Sequence, residues 1–194
     1  MIVYTATCGK YPIKRTDITC FTGESIFQNP VMEAKRFKVL PHLFFADEVT
    51  IWTDANVWLK FDPQEAVDTF LGDADLALFH HSYRDTVWQE FEILAKHTRF
   101  HIPWLQQQLK AQAFAYRAEG LPDYASLYEC NFLIRRNNER VNRLMEAWWA
   151  QICRWQWRDQ VSLPYVLWRS DVKVAAHRCN IREHPMFRYE SQHG

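Results

Sequence analysis

The chain has 194 residues, 48% hydrophobic and 24% charged, which suits one domain of ordinary size with a packed core. Its Lys and Arg (23) balance its Asp and Glu (23), so a protein that grips nucleic acid mainly through net charge is not expected. No apolar run approaches the roughly 18 residues of a bilayer span, and the opening segment meets Lys10 too early for a signal peptide.

Ile2 to Thr7 is rich in β-branched residues and is predicted as a buried first strand, with Asp17 to Thr22 a second. Pro30 to Leu40 has helical spacing and carries Lys35, Arg36 and Lys38. Val49 to Thr53 is a short apolar strand that runs straight into Asp54. A helix follows, capped by Asp62 and opened by Pro63, with Glu65 completing a capping-box pattern and Gly72 ending it. Leu76 to Phe79 is another strand, and His80 to Asp85 a polar loop. Helices are predicted from Thr86 to Lys96 and from Pro103 to Glu119, the second stopped by Gly120. Leu127 to Arg135 reads as a strand, and Val141, Leu144, Met145, Trp148 and Ile152 recur at helical spacing. Strands alternating with helices imply an α/β fold, a single domain over residues 1–194 with a mostly parallel central sheet flanked by helices. Ligands in such sheets bind at the carboxyl ends of strands, where Asp54 stands.

With only five glycines there is no GxGxxG and no Walker loop, so a nucleotide would be bound without a glycine cradle. Five cysteines form no CxxC pair and read as reduced thiols of a cytoplasmic protein. Nine tryptophans fit both core packing and flat platforms for sugar rings or bases. In an extended segment residues two apart face one side, so Asp54 and Asn56 offer oxygens to one hard cation, Mg²⁺ or Mn²⁺. Taken alone, the same Asp-Ala-Asn also fits a turn that caps a strand. Arg158-Asp159-Gln160 opens a short helix, either as its cap or as a grip on sugar hydroxyls. The His80–Asp85 loop reads as the polar rim of a site rather than a zinc centre, because adjacent histidines on a strand point apart.

The motifs recur in a set order: Lys38-Val39-Leu40-Pro41-His42, then Ile51-Trp52-Thr53-Asp54-Ala55-Asn56, then His81-Ser82-Tyr83-Arg84-Asp85 with Glu90. Glu129-Cys130-Asn131-Phe132-Leu133-Ile134-Arg135-Arg136 and Arg158-Asp159-Gln160-Val161-Ser162 complete the set. Together they resemble the glycosyltransferase-like domain of plant wall and mucilage proteins and bacterial polysaccharide loci, similar in layout to family 8 and GT-A glycosyltransferases. The resemblance runs from about residue 2 to residue 170. It implies a GT-A-like fold and an enzyme that moves a sugar from a nucleotide-diphosphate donor, a uridine one in the first place. The acceptor would be a hydroxyl of a glycan, a small molecule or a modified base, as in phage-type enzymes acting on hydroxymethylated DNA.

By that resemblance Asp54 and Asn56 stand for the Asp-x-Asp of GT-A enzymes, Asn56 departing from it with a neutral, weaker ligand. A late histidine would complete the metal set, His193 first and His184 second. Thr5 and Thr22 would flank base and ribose, Arg36 and Lys38 would lie near the diphosphate, and His42 and Gln160 would complete the donor site. Asp159, then Glu129, would be the carboxylate base of an inverting enzyme. Two other readings remain: a non-catalytic sugar or nucleotide binder of the same fold, and a metal-dependent phosphohydrolase using Asp54 and the His80-His81 loop. A DNA acceptor would need a local basic face, for which Arg135, Arg136, Arg140 and Arg143 are the candidates. No membrane partner is expected.

Overall fold

The computed structural model describes residues 1–9, 15–22, 26–27, 29–97 and 102–190. In chain order these form β1 (Ile2–Ala6), β2 (Thr19–Phe21), α1 (Pro30–Val39), β3 (Val49–Thr53), β4 (Val57–Leu59), α2 (Pro63–Ala66), β5 (Leu76–His80) and α3 (Val87–Lys96). Then come α4 (Pro103–Ala118), β6 (Tyr128–Arg136), α5 (Glu139–Arg154), α6 (Asp159–Trp168), β7 (Val174–His177) and β8 (Phe187–Tyr189). The central sheet has the order β2-β1-β3-β6-β5-β7, parallel throughout except at β6, which runs against both β3 and β5. The expected α/β architecture is therefore present, with one reversed strand that the sequence does not mark.

Side chains alternate across this sheet and divide the core in two. Trp52, Leu76, Leu78 and Leu133 enter a layer shared with α1, α3, α4, α5 and α6, while Ile51, Ala77, Phe79, Phe132 and Ile134 enter the opposite layer. The predicted face of α5 is the buried one: Val141, Leu144, Met145, Trp148 and Ile152 all pack inward. Local signals act where they are written. Asp62 accepts the Gln64 N–H at 2.7 Å, although after Ala66 the turns widen to π form through Leu71 before Gly72 ends them at φ +50°. Gly120, at φ +91°, closes the turn after α4. Strands β4, β7 and β8 have three or four residues each, too few to register as alternation in the sequence.

β4 and β8 pair antiparallel in a second, two-stranded sheet. This pairing fastens the late segment to the turn that follows Asp54: the Glu190 N–H donates to Asn56 O at 3.0 Å, and Asn56 Nδ2 donates to Glu190 O at 3.2 Å. All five cysteines are free. Among the described residues no helix is long and apolar enough to cross a membrane.

Candidate active site

Because β6 is reversed, its beginning meets the carboxyl ends of β3 and β5 at one edge of the sheet. A cleft of about 390 Å³ opens there, walled by α1, the start of α6, the His81–Arg84 loop and the late segment carrying Arg182 and Tyr189. Ligands are expected at such an edge, and polar residues of all five motifs converge on it.

One end holds a lysine cluster. Lys35 and Lys38 are one turn apart on α1 and so share a face. Their ammonium groups reach Asp159 Oδ2 at 2.6 and 2.8 Å, and Lys38 also lies 3.4 Å from Asp54 Oδ1. Asp159 and Lys38 are almost fully buried. Burial alone would raise the Asp159 pKa, but the two lysines outweigh it and hold the carboxyl far below its usual range. Burial likewise opposes charge on Lys38, and Asp159 with Asp54 overcomes it, keeping that amine firmly protonated. Lys35 moves the other way: its desolvation, reinforced by Lys38, lowers its pKa. Asp54 is pinned at Oδ1 by the Trp52 indole N–H at 2.8 Å, yet 38% of its side chain is exposed.

The other end holds an arginine cluster. Glu90, 1% exposed on α3, puts Oε2 2.6 Å from Arg84 Nε and Oε1 2.7 Å from Arg158 Nη2. Arg158 and Asp159 are neighbours in sequence but serve opposite ends of the cleft. The chain entering α6 is held by the Gln156 side chain, which accepts the Arg158 N–H at 2.6 Å, and by Trp148, whose indole donates to Asp159 O at 3.0 Å.

Glu129 lies between the clusters, near the start of β6. Its Oε1 is 3.9 Å from His81 Nε2, and among the described residues no other cation comes within 4 Å. Desolvation lowers the His81 pKa, so the ring is neutral near pH 7, and the Glu129 charge is felt instead by Arg182, which it stabilises across the cleft from beyond ion-pair distance. Gln160 anchors to Tyr128 O at 3.1 Å and presents to the same space.

Of the residues singled out in the sequence, Lys38, Asp54, Asn56, Glu129, Asp159 and Gln160 line the cleft. Asn56 arrives by a different route from the one expected. It sits in a turn closed by the Val57 N–H on Asp54 O at 2.9 Å, not in an extended segment. Arg36 requires correction: one residue from Lys35 on a helix is a turn of about 100°, and its guanidinium goes to Glu33 and over the Phe37 and Phe44 rings. Lys35 takes the cleft position instead, marked in the sequence by its spacing of three from Lys38. His42 is also displaced; it follows α1 in a short 3₁₀ turn and faces Glu146 on α5 at 3.4 Å. Thr5 has no exposed surface and is a core position rather than a ribose contact. Thr22 stands exposed just past β2. His184 packs its ring against Phe70 and Phe187, and His193 lies outside the described residues.

The local basic face that a DNA acceptor would need does not form among these arginines. Arg135 is buried on the Tyr4 hydroxyl and Lys38 O, and its charge is opposed by that burial. Arg140 is paired with Asp75 and Asp171, and Arg143 with Glu139.

Residues 19–191 match the family described as TOD1/MUCI70, glycosyltransferase-like domain. The chain belongs to that family, and its activity class is that of a glycosyltransferase. None of the curated proteins matches it. Among solved structures it is similar to a glycosyltransferase involved in the glycosylation of the major capsid of PBCV-1. That match has 11% identity and a TM-score of 0.48, covering 92% of this chain and 82% of that one. It is also similar to mouse xyloside xylosyltransferase 1, with 14% identity and a TM-score of 0.40, covering 75% of this chain and 50% of that one.

Proposed function

We propose that the protein transfers a sugar from a nucleotide-diphosphate donor, a uridine diphosphate sugar in the first place, to a hydroxyl of a glycan or small molecule. The observation that carries this reading is the order of groups along the cleft: a presented carboxylate at Asp54 with Lys38 behind it, and a second carboxylate at Glu129 beyond them.

The lysine cluster is close to neutral by itself, two ammonium groups against Asp159 and Asp54, so a diphosphate needs further positive charge there. Asp54 Oδ2 has no partner among the described residues, and the amide nitrogen of Asn56 is committed to Glu190 O, which leaves its oxygen free. One carboxylate oxygen and one amide oxygen fit a hard cation, Mn²⁺ or Mg²⁺, that draws the rest of its shell from phosphates and water. Such an ion would neutralise charge developing on the departing diphosphate. Glu190 leads directly into residues 191–194, so His193 belongs to the same proposal as a third ligand.

Lys38, fixed in its protonated state, adds a permanent positive charge beside Asp54. Asp159 keeps both lysines in place. A general base works best with a pKa near the working pH, so Asp159, held far below that, is an anchor for lysines. Glu129 is the group that takes the acceptor hydroxyl's proton as the new glycosidic bond forms. Gln160 orients sugar hydroxyls between them.

The test is calorimetric binding of uridine, guanosine and cytidine diphosphate sugars with and without Mn²⁺, followed by turnover of the donor that binds. One donor should bind in a Mn²⁺-dependent way. Glu129→Gln should retain that binding and lose about 10²–10⁴-fold in kcat, the range of general-base catalysis. Folded protein that binds no nucleotide sugar would overturn the reading, and an undiminished kcat in Glu129→Gln would remove Glu129 from it.

A further inference from the structure

A second concavity, about 290 Å³, lies outside the cleft and has no task in that reading. Its walls are Pro122, Tyr124, Tyr128, Pro164, Leu167 and Trp168. Two of its rings stand open to solvent, Tyr124 at 81% and Trp168 at 42% exposed. An open aromatic patch of this kind marks a binding surface. No charged side chain lines the groove among the described residues, so its ligand is uncharged.

The rings are presented by rigid backbone. Tyr124 sits in a turn closed by the Ala125 N–H on Pro122 O at 3.0 Å. That turn is tied to α3, where the Val87 N–H donates to Ala125 O at 3.0 Å and the Trp88 indole to Pro122 O at 2.9 Å. Trp168 ends α6. Neither the Tyr124 hydroxyl nor the Trp168 indole N–H has a hydrogen-bond partner among the described residues. Flat faces edged with free donors suit rings that are apolar on their faces and hydroxylated at their rims, as sugars are.

The groove also runs on from the cleft. Gln160, Pro164, Leu167 and Trp168 follow the helical spacing i, i+4, i+7, i+8 and form one stripe of α6. Gln160 lines the cleft at the head of that stripe, and the other three line the groove. On β6 the same handover takes one residue: Glu129 lines the cleft and Tyr128 the groove, with Gln160 Nε2 donating to Tyr128 O at 3.1 Å. From Gln160 to Trp168 is about 12 Å along the helix, roughly the length of two sugar units.

We propose that this groove is a carbohydrate platform: Tyr124 and Trp168 hold the outer units of a neutral oligosaccharide whose end reaches Glu129. The role of that end as acceptor rests on the nucleotide-sugar reading; the platform is tested apart from it.

The experiment titrates the whole chain by calorimetry with neutral gluco-, galacto-, manno- and xylo-oligosaccharides, from monosaccharide to hexasaccharide, and separately with nucleotide sugars. Wild type, Tyr124→Ala, Trp168→Ala and Trp168→Phe are compared, with circular dichroism as the folding control; Tyr124 is so exposed that its loss leaves the core intact. Affinity in one series should rise with chain length and level off once the groove is filled. Each alanine variant should lose about two- to tenfold for the longer chains, the scale of one ring-stacking contact. Monosaccharide and nucleotide-sugar binding should not change, and Trp168→Phe should restore most of the loss. No oligosaccharide binding by folded protein overturns the proposal, as does a length dependence that neither alanine variant moves. If nucleotide sugars still bind in that case, the glycosyltransferase reading stands. Oligosaccharide binding without any nucleotide-sugar binding keeps the platform and removes the donor reading. A wild-type dimer in sedimentation that Tyr124→Ala dissolves would give the groove to a second copy of the chain and overturn the proposal.

Discussion

The two ends of the cleft are built as opposites. At the lysine end Lys38 and Asp159 are hidden together, 2% and 4% exposed, Lys35 is 20% exposed, and the carboxylate of Asp54 is presented at 38%. At the arginine end the acid is hidden and the cations presented: Glu90 is 1% exposed, Arg84 22% and Arg158 33%. Each end thus spends a buried charge to hold the opposite charge toward the ligand. Under the proposed function this polarity would let the Asp54 end meet a cation and a diphosphate. A merely structural pair of ion clusters needs no such polarity.

The sharpest way to break the comparison is to remove the buried acid of the lysine end. Asp159→Asn leaves Lys38 buried with only the more distant Asp54, and breaking a buried pair costs about 3–5 kcal/mol. Thermal melting should fall by about 6–20 °C for a chain of this size. The pH dependence has a definite sign. The folded pKa of Asp159 is depressed, so its contribution is present above the unfolded value, about 3.9, and is lost as pH falls from there toward the folded value. Wild type should lose stability steeply below about pH 4, and the variant should show a shallower acid limb. Equal slopes in denaturant titrations from neutral pH down to that range would count against the lysine anchor.

How much of this was legible beforehand depends on which force places each residue. Chain-local forces left readable marks: the alternation of strands and helices, the apolar run into Asp54, the face of α5. Residues placed by long-range pairing did not. Glu90 meets Arg158 across 68 positions; its spacing from Val87 and Leu94 puts it on the inward face of α3 and sets it apart from Glu92, but nothing in α3 names the arginines it meets. The reversal of β6 is equally silent, because a strand's residues do not encode its direction, yet it brings Glu129 to the cleft. Arg36 and His42 were misplaced for a rotational reason: motif spacing was read without the helical turn that sends Lys35 and Lys38 inward together. Thr5 was a β-branched residue doing what such residues do in a central strand.

At the arginine end the same operation should cost less. Glu90→Gln also removes a buried acid, but both arginines already touch water and can rehydrate. A loss of about 1–3 kcal/mol is expected, the range for leaving buried hydrogen-bonding groups unmatched. Chemical denaturation of the two variants side by side tests the ranking, and a Glu90→Gln loss equal to that of Asp159→Asn would dissolve the distinction between a hidden and a presented cation.

The smallest effect on stability belongs to the group the lysine end presents. Asp54 is more than a third exposed, and Asp54→Asn keeps its shape and the acceptor for the Trp52 indole. Loss of stability should stay within about 0.5–1 kcal/mol, as for substitutions of surface charges. Function should move in the opposite sense, because the substitution removes the one presented carboxylate while leaving Lys38 and Asp159 paired. Donor binding in Mn²⁺ should weaken by about 10–100-fold, the cost of disturbing a metal's ligand environment, and chelation by EDTA should bring wild type down to the variant's level while leaving the variant unchanged. A variant that binds as wild type does, with and without EDTA, would mean that the exposed carboxylate meets no cation, and that the polarity of this end serves only to hold Lys38.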